Sequence, residues 1–110
     1  MPEDHYNIAI GRLGIFDFQK GFYVYIGSAK RNIQARINRH ITIDKNKHWH
    51  IDYLRPYLQI TNVHTFSGEE CALFQQLLEE HSGTIPAKGF GSSDCQCISH
   101  LFYSENEINL

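Results

Sequence analysis

Gly21-Phe-Tyr-Val-Tyr-Ile-Gly-Ser-Ala-Lys-Arg-Asn-Ile-Gln-Ala-Arg-Ile-Asn-Arg-His40 is the stretch on which the reading of this chain turns. Its opening, Phe22 to Ile26, is dense in aromatic and β-branched residues, which suit a pleated, packed surface. Side chains alternate along a strand. Phe22, Val24 and Ile26 therefore share one apolar face, expected to be the core face, and Tyr23 and Tyr25 share the other. Gly27 permits a turn that a side chain would obstruct. Beyond it Ile33, Ile37 and Ile41 recur every fourth residue, the pattern of a helix with a buried apolar stripe. Arg36 and His40 are also four apart and lie one above the other on a neighbouring face. A strand carrying phenols and a helix carrying a guanidinium and an imidazole would border one concavity. Those groups suit phosphodiester cleavage: a proton carrier, a fixed cation for phosphate oxygens, and a group that titrates near neutrality.

Toward the N-terminus, Tyr6 to Ile10 alternates and reads as a first strand. Gly11 opens a turn into a second, Leu13 to Phe18, and Gln19 to Gly21 turns into the central strand. Such short connections imply an antiparallel sheet of about three or more strands. Toward the C-terminus, helices are expected over Asn32–Thr42, His48–Leu58 and Ser67–His81. Ile51, Leu54 and Leu58 form the second helix's stripe, and Pro56 kinks or ends it. Ala72, Leu73, Leu77 and Leu78 are the third helix's core positions, with Ser82-Gly83 as its stop. Thr61 to Phe66 alternates as a further strand would. Thr84 to Asp94 reads as a loop in which Gly89 and Gly91 flank Phe90. Ile98 to Tyr103 reads as a last strand, followed by a polar tail over 104–110. The expected class is α+β, a small antiparallel sheet flanked by helices in one domain whose core spans about residues 6–103.

Composition agrees with a packed domain: 110 residues, 42% hydrophobic and 20% charged, enough apolar material to bury a core. No apolar run approaches the roughly 20 residues a membrane helix needs. The stretch Met1 to His5 is polar, unlike a secretion signal. A cytoplasmic protein without membrane contact is expected. The net charge of −2 argues against strong binding of nucleic acid by the bulk surface. Distribution matters more: Lys30, Arg31, Arg36, Arg39, Lys45 and Lys47 cluster with Asp44 as the sole acid among them, while Glu69, Glu70, Glu79, Glu80, Glu105 and Glu107 lie elsewhere. A local basic face is compatible with phosphate binding at one site, though a solvated helix and loop would look the same. Lys30, Arg39 and Lys47 are the candidate backbone contacts. Trp49, with His48 and His50, is the candidate stacking residue, against the plainer reading of core packing.

Tyr25-Ile26-Gly27 followed by Arg36 and His40 resembles the second half of the GIY-YIG nuclease signature. The segments His48-Trp49-His50-Ile51-Asp52-Tyr53-Leu54, Glu70-Cys71-Ala72 and Gly89 to Tyr103 resemble one prokaryotic branch of that superfamily, some of whose members are fused to an endonuclease III-like repair glycosylase. The resemblance runs from about Ile8 to Tyr103. It implies a metal-dependent DNA endonuclease, in repair or processing, with DNA as substrate and a repair protein as partner. A nucleic-acid-binding or partner-docking module that kept the fold without catalysis is the alternative. Tyr25 and His40 would handle water and protons, and Arg36 would steady the phosphate. Two tyrosines compete for the signature's first position: Tyr23 in Gly21-Phe22-Tyr23, and Tyr6 on the opening strand. The resemblance also implies that Glu70 holds one divalent cation, a hard oxygen ligand suited to magnesium or manganese. Ser67 and Glu70 equally spell a capping box, and Glu69 is a neighbour able to exchange roles with Glu70. Cys71, Cys95, Cys97 and His100 add up to a Cys3His zinc set. Buried free thiols, or a pairing of Cys71 with Cys95 or Cys97, are the other readings.

Overall fold

The central strand takes its partner from the far end of the chain. In the computed structural model, residues 1–27, 33–42, 49–61, 63–64, 70–91 and 98–108 are described, with the side chains of Ile33 and Arg36 outside that set. The elements in order are β1 (His5–Ile10), β2 (Gly14–Phe18), β3 (Phe22–Tyr25), α1 (Ile33–Ile41), α2 (His50–Leu54), a single 3-10 turn (Arg55–Tyr57), α3 (Glu70–Glu80) and β4 (Leu101–Ser104). The class is α+β. The strands pair as two antiparallel ribbons, β1 with β2 and β3 with β4. Short-connection logic assigns β3 to β2. The register Phe22↔Ser104, Tyr23↔Tyr103, Val24↔Phe102 and Tyr25↔Leu101 assigns it to β4 instead.

This pairing makes the β3–β4 ribbon a partition with a core on each face. On one face lie Ile8, Ile10 and Phe18 of the hairpin, Ile51 and Leu54 of α2, Ala87, Phe90 and Leu101, with Tyr23 and Tyr25 packed against them. On the other lie Ile26, Phe102, and Phe74 and Leu77 of α3, with Val24 against them. The tyrosine face is thus a core face as much as the Val24–Ile26 face is, while Phe22 is exposed. Each fully buried Phe or Leu contributes on the order of 2 kcal/mol, so both layers matter to a domain of this size.

A bulge in β1 redirects one candidate residue. The register moves between His5↔Phe18 and Ile8↔Phe16, so one extra residue sits in β1. Asn7 takes the left-handed conformation, φ 57, which asparagine tolerates, and its N–H donates to Asp17 Oδ1 at 2.9 Å. Strict alternation would put Tyr6 on the face of Ile8 and Ile10. The bulge turns it outward, 67% exposed.

Three boundaries follow from local chemistry. α2 gives way to the 3-10 turn as Pro56 enters, because proline has no N–H for the α ladder. α3 ends where Ser82 goes left-handed, φ 50, and the Gly83 N–H returns to Leu78 O at 2.9 Å. Gly83 serves closeness: a Cβ there would stand 2.5 Å from Phe102 Cδ1. In the stretch expected as a strand over Thr61 to Phe66, the described residues 61, 63 and 64 are in no strand, and the rest lies outside the described residues. α1 departs from its expected stripe: Ile41 is 42% exposed and Ile37 half-buried, and its last turn docks through Arg39 and His40. Among the described residues no helix is long and apolar enough to cross a membrane.

Candidate functional site

Tyr25 at the end of β3 and His40 in the last turn of α1 meet ring against ring, with centroids 5.6 Å apart and planes at 71°. The imidazole also lies 5.4 Å from the Trp49 ring. Arg39 is stacked on that indole, its guanidinium carbon 4.1 Å from the ring centroid. Arg39 Nη1 donates to Asp52 Oδ1 at 2.9 Å, and the Trp49 N–H donates to Asp52 Oδ2 at 2.8 Å. Asp52 is 1% exposed. A buried carboxylate is costly unless paired and hydrogen-bonded, and here both oxygens are engaged.

Arg55 holds the other end of the same helix turn. Its guanidinium donates to the carbonyls of His40 and Ile41 through Nε, at 3.0 and 3.2 Å, to Ile41 O through Nη2 at 2.8 Å, and to Leu58 O through Nη1 at 2.7 Å. A helix C-terminus presents unpaired carbonyls and partial negative charge. Arg55 answers both needs for α1, from a buried position that pulls its pKa down by desolvation. The turn that carries His40 is therefore anchored by backbone as well as by side chain.

The remaining wall is the turn around Phe90. Phe90, 0% exposed, sits between Tyr25 and His50, with ring centroids at 6.2 and 5.7 Å. Gly91 is left-handed, φ +70, and a Cβ there would stand 3.1 Å from Tyr25 Cε1 and 3.3 Å from His100 Cβ. Its N–H donates to His50 Nδ1 at 2.8 Å. Nδ1 as acceptor makes His50 the neutral tautomer with its proton on Nε2, and burial lowers its pKa accordingly.

Glu70 belongs to the layer on the other face of the partition, one turn ahead of Phe74 on α3. Glu70 Oε1 stands 3.9 Å from His100 Nε2, and Cys71 Sγ is at 3.9 Å from the same nitrogen. Cys71 is disulfide-bonded; the chain's other cysteines, Cys95 and Cys97, lie outside the described residues. A disulfide sulfur is not the thiolate that zinc takes, so the zinc set applies to the reduced chain. Among the described residues no group of three His, Cys, Asp or Glu side chains is placed to hold a metal.

Of the other candidates, Tyr6 points away from this site and its hydroxyl lies 3.5 Å from Asp4 Oδ2. It lines a groove of about 600 Å³ with Asp4, Asp17, Tyr103 and Glu105. Tyr23 shares a face with Tyr25 but donates its hydroxyl to Gln19 O at 2.6 Å and packs 5.1 Å from the Tyr103 ring. Burial, then the Tyr103 and Asp4 oxygens, push its phenol well above the ordinary tyrosine range. Tyr23 is thereby a proton donor held in place. Arg36 lies in α1 one turn before His40, its side chain outside the described set. Lys30 and Lys47 lie outside the described residues. Arg39, a candidate phosphate contact, is engaged with Asp52 and Trp49.

Sequence reasoning missed Asp52, Arg55 and the role of His50. Asp52 carried a weak signal, an acid three residues after Trp49 in a helix's first turn. Arg55 carried none, because two of its three acceptors, His40 O and Ile41 O, are backbone atoms of a distant helix.

The chain matches the model of the family described as Domain of unknown function DUF123 over residues 2–110, and it belongs to that family. Comparison with curated proteins and with solved structures gave no match.

Proposed function

We propose that this protein is a metal-dependent endonuclease of the GIY-YIG superfamily that hydrolyses phosphodiester bonds in DNA, in repair or processing inside the cell. The observation that carries the reading is the meeting of the Tyr25 phenol with the His40 imidazole at the end of the β3–β4 ribbon. A phenol and an imidazole bordering one site can divide the proton work of phosphodiester hydrolysis, one taking a proton from the attacking water and the other giving one to the leaving oxygen. Arg36, one helical turn ahead on α1, is the cation for the phosphate oxygens. Glu70 offers one hard, partly exposed oxygen donor. That suits magnesium, which keeps most of its waters and takes one or two carboxylates beside substrate phosphate. A bound cation there would supply charge stabilisation at the phosphate. Gly91 is in close approach to both Tyr25 and His100, and His100 is the residue that Glu70 faces at 3.9 Å.

Supercoiled DNA incubated with the protein and magnesium is expected to be nicked, and Arg36→Ala or Glu70→Ala to abolish nicking with the far-UV circular dichroism unchanged. Nicking that survives both substitutions refutes the assignment.

Two placements favour a second reading, a nucleic-acid-binding or partner-docking module without catalysis. Tyr6 faces outward, and α3 packs opposite the Tyr25 face. DNA affinity that falls with salt, with no cleavage under any divalent metal and no loss of affinity in Glu70→Ala, would decide for that module.

A further inference from the structure

We infer that Asp52 is a positioning residue that acts through Arg39 and Trp49 to hold the His40 imidazole against Tyr25. For its catalytic consequence this rests on the nuclease reading; for its geometry it does not. The chain of contacts is short. Asp52 is buried, and its two oxygens have different tasks: Oδ2 fixes the Trp49 backbone at the start of α2, and Oδ1 fixes the Arg39 guanidinium. Arg39 is thereby laid over the indole, and the indole is set between a helix turn and its own helix start, with His40 against it. His40 in turn meets Tyr25. A surface ion pair would be a weak device. This one is different because the carboxylate is wholly desolvated and its other oxygen is already committed to the Trp49 N–H, so the charge-assisted bond to Arg39 is what remains to balance the buried charge. Arg39 and His40 are sequence neighbours on α1, so a carboxylate that fixes the first constrains the second through a single peptide. Arg55 anchors the same turn by its carbonyls, while Asp52 and Trp49 act on its side chains.

Asp52→Asn separates the two tasks. The asparagine carbonyl still accepts the Trp49 N–H, while its neutral amide no longer attracts the guanidinium. Trp49 is the chain's single tryptophan, so its emission reports on this site alone, and a protonated imidazole quenches a nearby indole. In the unchanged chain, Trp49 emission is expected to step with pH, because an imidazole is the side chain that changes charge near neutrality and His40 lies against the indole. The step should vanish in His40→Gln and persist in His50→Gln. In Asp52→Asn the step should collapse, and kcat for DNA nicking should fall about tenfold to a hundredfold with KM unchanged, as misplacement of a catalytic group does. Arg39→Gln breaks the same link from its more exposed end and should lose the same step even where Asp52→Asn fails to fold. A full-amplitude step in either folded variant overturns the inference, as does undiminished kcat in a variant whose step is lost. Absence of nicking in the unchanged chain would refute the nuclease reading instead, and the emission step would still decide the positioning role.

Discussion

Replacing Arg55 by methionine keeps the buried stem and removes the guanidinium, and the structure sets the size of the effect. Three carbonyls lose charged donors: His40 O, Ile41 O and Leu58 O, at 3.0, 2.8 and 2.7 Å. A hydrogen bond to a charged group is worth about 1.5 kcal/mol net at the low end, so three amount to about 4.5 kcal/mol. Two corrections reduce this. The guanidinium no longer bears its desolvation cost, and two of the released carbonyls, of His40 and Ile41, sit at a helix end where Ile41 and Thr42 are exposed, so water can reach them. A loss of about 2–4 kcal/mol remains, a large share of the roughly 5–15 kcal/mol that keeps a domain folded. For a chain of this size that lowers Tm by roughly 10–15 °C. Urea unfolding followed by far-UV circular dichroism measures it directly. Arg55→Lys should recover less than half, because one ammonium cannot span carbonyls from two segments. A methionine variant within about 0.5 kcal/mol of the unchanged chain, the usual range of bland surface substitutions, would refute the claim that Arg55 anchors the end of α1.

Stability is expected to fall on the acid side through His50: burial depresses its folded-state pKa, so its contribution is complete above the unfolded value of about 6.5 and is lost as pH drops below that. The urea midpoint should therefore fall between pH 8 and pH 5 more in the unchanged chain than in His50→Gln, and equal falls would remove His50 from the account. Gly83→Ala drives a Cβ into the buried Phe102 ring at 2.5 Å and toward Leu78 Cδ1 at 3.1 Å, and should destabilise by about 1–3 kcal/mol by overpacking; a melt unchanged from the parent would show that the two layers are loosely packed. At the β1 bulge, Asn7→Val forces a β-branched residue to φ 57 and should cost about 1–2 kcal/mol, while Asn7→Gly stays near the parent.

Local order was legible because local rules make it. The aromatic run at Phe22–Tyr25, the fourfold isoleucine spacing of α1 and the Ser82-Gly83 stop of α3 each name their element from a handful of neighbouring residues. The contact of Tyr25 with His40 fits the concavity expected between the phenol-bearing strand and the helix, but period alone did not name the contact, because His40 sits in the last turn of α1, the end farther along the chain from β3. What the chain's order of residues could not state was which surfaces were already taken. Strand β3 finds β4, so the tyrosine face becomes interior. A bulge at Asn7 turns Tyr6 outward against its own alternation. Arg39, a cation in a basic cluster, is engaged by an aspartate from another helix, and Arg55 caps a helix it does not belong to. Periodicity and composition fix which groups a segment can present, because they act over a few bonds. Which groups are then consumed by burial, pairing and capping depends on partners tens of residues away, and only the folded chain brings those partners into contact.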